Sequence, residues 1–243
     1  GAISLLLDKR LAPAGTALSV SVDGQPAIAA NIGETAAPLK LVRTEGKWSV
    51  GSVPPGQKRH GLSGPIDDFQ RDRFIFVYGT GGDDAQKTAM EKRGRKMADW
   101  GLGALFSVKA DTEITDSDMK DASLLLIGTA ANNRIIAKMA DNLPLRSTET
   151  GLILGDIKVD GPGSSACITF PNPLSPEHYA VIITSVDDFG YQVWEKRNPG
   201  GDYVIGRTNP NADKPTYLTV ARGWFTNKWK WSADLCIKYD KPQ

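Results

Sequence analysis

The chain is poor in the residues that perform chemistry unaided: it holds two histidines, His60 and His178, and two cysteines, Cys167 and Cys236, in 243 residues. Neither cysteine belongs to a CxxC motif, and one pair builds no disulfide framework, although Cys167 and Cys236 could bond in an oxidising compartment. Scattered in this way, the four residues offer no zinc-ligand spacing, so no metal site is expected. Charge of one sign is also missing, because 29 basic residues face 28 acidic ones. No broad field then steers nucleic acid or an anionic membrane to the surface, and nucleic acid is not expected as a partner. No apolar run approaches the roughly 20 residues of a membrane span. The opening Gly1-Ala-Ile-Ser-Leu has neither an initiator Met nor a charged leader. The chain therefore reads as a fragment, with Gly1 as a cloning scar.

What is present is an ordinary globular composition, 40% hydrophobic and 23% charged. The first fifty residues or so are β-rich. Residues 2–7 and 17–23 read as strands of one hairpin-like unit, and 39–42 with 47–50 as a second hairpin around Thr44-Glu45-Gly46. From Gly56 to Asp68 glycine, proline and charge mix without an apolar period, which predicts a linker or an irregular packed loop. The expected division is a β-rich segment and linker over 1–67 and an α/β domain over 68–243.

Beyond that break the period changes. Residues 74–78 and 124–127 are continuous apolar runs, as in strands buried on both faces, and are expected at the centre of a sheet. Each ends in a glycine loop, Gly79-Thr-Gly-Gly-Asp-Asp84 or Gly128-Thr-Ala-Ala-Asn-Asn133. A helix is predicted after each loop. One runs from Ala85 to Trp100, with Ala85, Ala89, Met97 and Trp100 at helical spacing and Asp83 or Asp84 as cap; the other runs from Asn133 to Leu143, stopped by Pro144. A strand over 106–109 precedes a short helix capped by Thr115-Asp-Ser-Asp118. Alternating strand and helix predicts parallel strands with right-handed crossovers. The expected fold is thus a Rossmann- or flavodoxin-like layered α/β sheet with a β-rich N-terminal segment and a β-rich C-terminal tail, whose strands cover 151–154, 166–170, 179–184, 203–205 and 217–220.

An α/β-hydrolase needs its serine on a Gly-x-Ser-x-Gly elbow. Gly61-Leu-Ser-Gly-Pro and Gly163-Ser-Ser-Ala-Cys both fail that pattern. A triad or dyad also needs a histidine base; His60 sits among Lys58, Arg59 and Gly61, and His178 precedes a strand. Cys167 lies in an apolar strand and reads as a buried structural thiol. No catalytic residue is expected. Asp111, Glu113, Asp116, Asp118 and Asp121 lack the glycine and final glutamate of a calcium loop and suit the acidic first turn of a helix.

The glycine loops do have a binding mechanism, since free N–H groups at a helix N-terminus hold anions. On a parallel sheet both loops would open on one carboxyl edge, where Thr80, Gly81, Thr129, Asn132 and Asn133 would line a ligand crevice. The first loop matches a dinucleotide fingerprint only in its first three residues, and no cofactor is expected. A second candidate surface holds Trp224, Trp229 and Trp231, with Trp229 and Trp231 alternating on one strand face. Such rings can stack on sugars but more often fill cores and domain interfaces, and packing is the expected role.

The run Lys58-Arg-His-Gly-Leu-Ser-Gly-Pro-Ile-Asp-Asp-Phe-Gln-Arg-Asp-Arg-Phe-Ile-Phe-Val resembles the GPIDD segment in the C-terminal region of bacterial prolyl-oligopeptidase-like α/β-hydrolase proteins. Lys109-Ala-Asp-Thr-Glu-Ile-Thr-Asp, Leu125-Leu-Ile-Gly with Asn132-Asn133, and Phe170-Pro-Asn-Pro-Leu-Ser-Pro-Glu-His-Tyr-Ala-Val-Ile follow in the family's order. The likeness spans roughly residues 5 to 185, and residues 187–243 depart from it. It implies a non-catalytic accessory or interdomain module, partnered by the catalytic domain of the same polypeptide and exported to the periplasm or exterior.

Overall fold

The computed structural model describes residues 1–7, 10, 12–34, 38–99, 106–192, 194, 200–209 and 216–239. They form two compact units, Gly1–Arg59 and His60–Gln243.

The first unit contains β1 (Ala2–Leu6), β2 (Ala17–Val20), β3 (Ile28–Asn31), β4 (Pro38–Thr44) and β5 (Lys47–Val50). β4 and β5 form the expected hairpin. Their turn residues Glu45 and Gly46 both take positive φ, the requirement of a tight two-residue hairpin turn. β1 and β2 do not pair with each other as expected. The Asp23-Gly24 turn, also at positive φ, folds β2 back onto β3, and β1 pairs with β4 instead. Among the described residues of this unit, Ile32 and Leu41 are the buried hydrophobic side chains.

The second unit is built on eight strands: β6 (Phe74–Tyr78), β7 (Val108–Ala110), β8 (Ser123–Ile127), β12 (Ser164–Pro171), β13 (Tyr179–Ser185), β14 (Tyr203–Asn209), β15 (Thr216–Gly223) and β16 (Cys236–Lys238). A separate three-stranded antiparallel sheet comprises β9 (Leu145–Ser147), β10 (Gly151–Leu154) and β11 (Ile157–Asp160). The helices are α1 (Asp84–Ala98), α2 (Asp116–Asp121), α3 (Arg134–Met139) and α4 (Asp188–Tyr191). Trp100, expected at the end of α1, lies outside the described residues.

The layered Rossmann- or flavodoxin-like expectation is corrected by this topology. The sheet runs β16-β15-β14-β12-β13-β8-β6-β7; β7, β6, β8 and β13 are parallel, and every remaining pairing is antiparallel. The described residues are 39% strand against 20% helix, and α2, α3 and α4 have six, six and four residues. Helices this short cannot layer both faces of an eight-stranded sheet. The antiparallel half arises because the link from β12 to β13 is too short for a crossover helix, so β13 returns alongside β12 in the opposite direction.

β8 and β13 are buried at every position, and Ile75, Phe76 and Val77 of β6 are buried beside them. Their side chains belong to one continuous hydrophobic cluster. The GPIDD segment is a clasp onto this core. Gly64 donates its N–H to the Tyr179 hydroxyl at 2.9 Å, which donates to Asp68 at 2.6 Å, while Ile66 donates to the Gly201 carbonyl at 2.8 Å. Leu62, Ile66 and Phe69 are buried alongside. Gly64 has φ +71°, and a Cβ there would overlap the Asp202 carboxylate, so glycine is required for conformation and for space.

Candidate functional site

The carboxyl ends of β6, β7 and β8 bring together the residues expected to line a crevice. Gly81 donates its N–H to the Asn132 carbonyl at 2.8 Å, and Thr129 donates its own to the Asn132 side-chain oxygen at 2.7 Å. A Cβ at Gly79 or Gly81 would collide with the Asn132 backbone, so the two loops lie directly on each other. Asn133 caps α3 through the N–H groups of Ile135 and Ile136, and its amide donates to the Ile127 carbonyl.

Asp111, at the end of β7, closes this edge. Its buried carboxylate accepts from the Thr80 hydroxyl and from the Arg134 N–H, each at 2.7 Å. The Arg134 guanidinium returns hydrogen bonds to the carbonyls of Asp111 and Thr112. At α1, Asp83 accepts from the Gln86 N–H while the Gln86 side chain accepts from the Asp83 N–H, a reciprocal capping box. Side chains of the protein thus occupy the positions at both helix N-termini where a ligand anion would be held.

Beside this edge, over β13, lies a depression of about 430 Å³. It is lined by Ile182 and Thr184 of β13, by Ile136 of α3 and the following Ala140, by Leu143 and Leu145, by Thr129 and Ala130, and by the exposed Asp141, Arg146 and Ser147. Thr129 is therefore shared between the loop network and the depression. The sequence places Ile136, Ala140 and Leu143 in a predicted helix, while Arg146 and Ser147 give no signal because they lie on β9, a strand of three residues, too short to show a period.

The remaining candidates lie outside this site. His178 places Nε2 2.6 Å from the Lys120 carbonyl, which can only accept, so Nε2 carries the proton; Nδ1 lies 3.8 Å from the Asp72 carboxylate. His60 is exposed, and Cys167 is buried in mid-strand, where desolvation pushes its thiol pKa up. Both cysteines are free thiols. Asp118 accepts from Lys109 at 2.7 Å and caps α2 with Thr115; the Lys109 hydrogen bond is the largest of the influences that bring its pKa down to about 2. Among the described residues no three His, Cys, Asp or Glu side chains gather as a metal ion would need. No described helix is long and apolar enough to cross a membrane.

The placement of Trp229 on a strand is corrected. Trp229 sits in a turn at φ +55°, not on a strand, and is buried against Phe170, Tyr179 and Phe225. The Trp231 ring lies against Gly155, and Trp224 is exposed. No protein-family model matches the chain, and a search of curated proteins returns no relative.

Proposed function

We propose that this chain is a non-catalytic accessory or interdomain module of a larger exported hydrolase, with the catalytic domain of the same polypeptide as its partner. The resemblance around GPIDD motivates the reading, and one observation carries it: the groups a hydrolase would need are committed to the fold. His178 spends its Nε2 proton on a backbone carbonyl. Ser123 accepts from the Tyr179 N–H, Ser165 is fully buried, and the Cys167 thiol is held protonated by burial. Neither Gly61-Leu-Ser63 nor Gly163-Ser-Ser165 stands on a strand-to-helix elbow, since the first precedes a 3-10 turn and the second opens β12.

A panel of ester and peptide substrates tests the reading. No turnover is expected from the purified chain. Turnover that survives purification and disappears in Ser63→Ala, Ser165→Ala or Cys167→Ala overturns it. Export is tested by fractionating cells that make the native protein, where recovery in the cytoplasm contradicts it.

A further inference from the structure

The depression over β13 is lined by two unlike charges together with apolar side chains. Ile136, Leu145 and Ile182 are buried, while Asp141 and Arg146 are exposed. Neither charged side chain makes an ion pair or hydrogen bond with a described residue, in contrast to Asp111, Asp118 and Arg134, which are engaged within the fold. Two unpaired opposite charges in one concavity are complementary to a molecule that carries both. A simple anion would meet Asp141, and a simple cation would meet Arg146.

We propose that this depression binds a small zwitterion with an apolar side chain, an α-amino acid or dipeptide. Arg146 takes the carboxylate, for which its planar fork of donors is suited. Asp141 takes the ammonium group, and Ile136, Leu145 and Ile182 receive the side chain. A volume of about 430 Å³ lies within the range of small-molecule sites. The accessory reading assigns no ligand to the chain, so this inference goes beyond it and stands or falls separately: turnover assays bear on the first, binding on the second.

The test is calorimetric and NMR titration of the full chain with L-leucine and Leu-Leu, beside N-acetyl-leucine and leucinamide, which each lack one charge. Saturable binding of the zwitterions is expected, with each single-charge analogue weaker by about tenfold or more, the scale of one charge-assisted hydrogen bond. Arg146→Gln should erase the preference for leucine over leucinamide, and Asp141→Asn the preference over N-acetyl-leucine. Both positions are exposed, so unchanged thermal unfolding confirms that the variants fold. Shift changes should centre on Thr129, Ser147 and Leu145. The proposal is overturned by absence of saturable binding, by equal affinity for leucine and its analogues, by binding that both variants leave unchanged, or by shifts centred elsewhere.

Discussion

Residues 1–59 and 60–243 both use strands with alternating side chains, yet they bury them to very different depths. Along β1 the pattern alternates between exposed and half-buried, and Leu6 and Val50 remain more than half exposed. Along β8 and β13 no position is exposed on either face. Alternation in sequence sets which strand faces which side; depth requires a second layer. In the second unit α1 packs on β6, the small sheet packs on β12 and β14, and α4 packs on β13. In the first unit few apolar side chains among the described residues leave water, Ile32 and Leu41 being the buried ones.

Core truncation gives the widest separation between the units. Leu126→Ala, at a fully buried position of β8, should cost about 2–5 kcal/mol in urea unfolding. Leu5→Ala, half-buried in β1, should cost about 1 kcal/mol or less. Equal costs would erase the contrast. Gly64→Ala comes next. It forces a β-carbon into a left-handed conformation, about 1–2 kcal/mol, and into the Asp202 carboxylate, a further ~1–3 kcal/mol of overpacking. A near-neutral result would mean that the clasp is not tied to the core. Asp111→Ala strands the Arg134 N–H and the Thr80 hydroxyl, for about 1–3 kcal/mol measured by thermal or urea unfolding.

Acid provides a finer comparison, because Asp118 belongs to the second unit. Its folded pKa of about 2 lies below the ordinary carboxylate value. A depressed folded pKa means that the stabilisation is complete above the unfolded value, near 4, and is lost as pH falls toward 2. Asp118→Asn should therefore flatten the loss of stability between about pH 4 and pH 2 while lowering stability at pH 6. Unfolding curves at those pH values check it; an unchanged acid limb would show that the Lys109 pairing carries no linkage.

The elements with strong local signals were legible. The apolar runs became β6 and β8, the Asp83 and Thr115 caps opened α1 and α2, and the Thr44–Lys47 turn closed a hairpin. β3, β9, β11 and β16, of three or four residues each, were not expected from the sequence. The fold class was misread because the strands of the tail read as an appendage to a parallel sheet, whereas β12, β14, β15 and β16 join that same sheet through antiparallel pairings; the stretch between Pro171 and Tyr179 has no room for a crossover helix. At the carboxyl edge, glycine spacing pointed to Thr80, Gly81, Thr129, Asn132 and Asn133, but the Asp111 carboxylate, which holds the Thr80 hydroxyl and the Arg134 N–H, arrives from the end of a third strand. Such a contact depends on sheet order, which no local pattern encodes.

Native-state hydrogen exchange measures the contrast between the units most directly. Amides of β8 and β13 should exchange only through global unfolding of the second unit, while those of β1–β5 should exchange through smaller openings, about a hundredfold faster or more. Protection in β1–β5 equal to that of β8 would contradict the account, because it would require a core in the first unit that its burial does not provide.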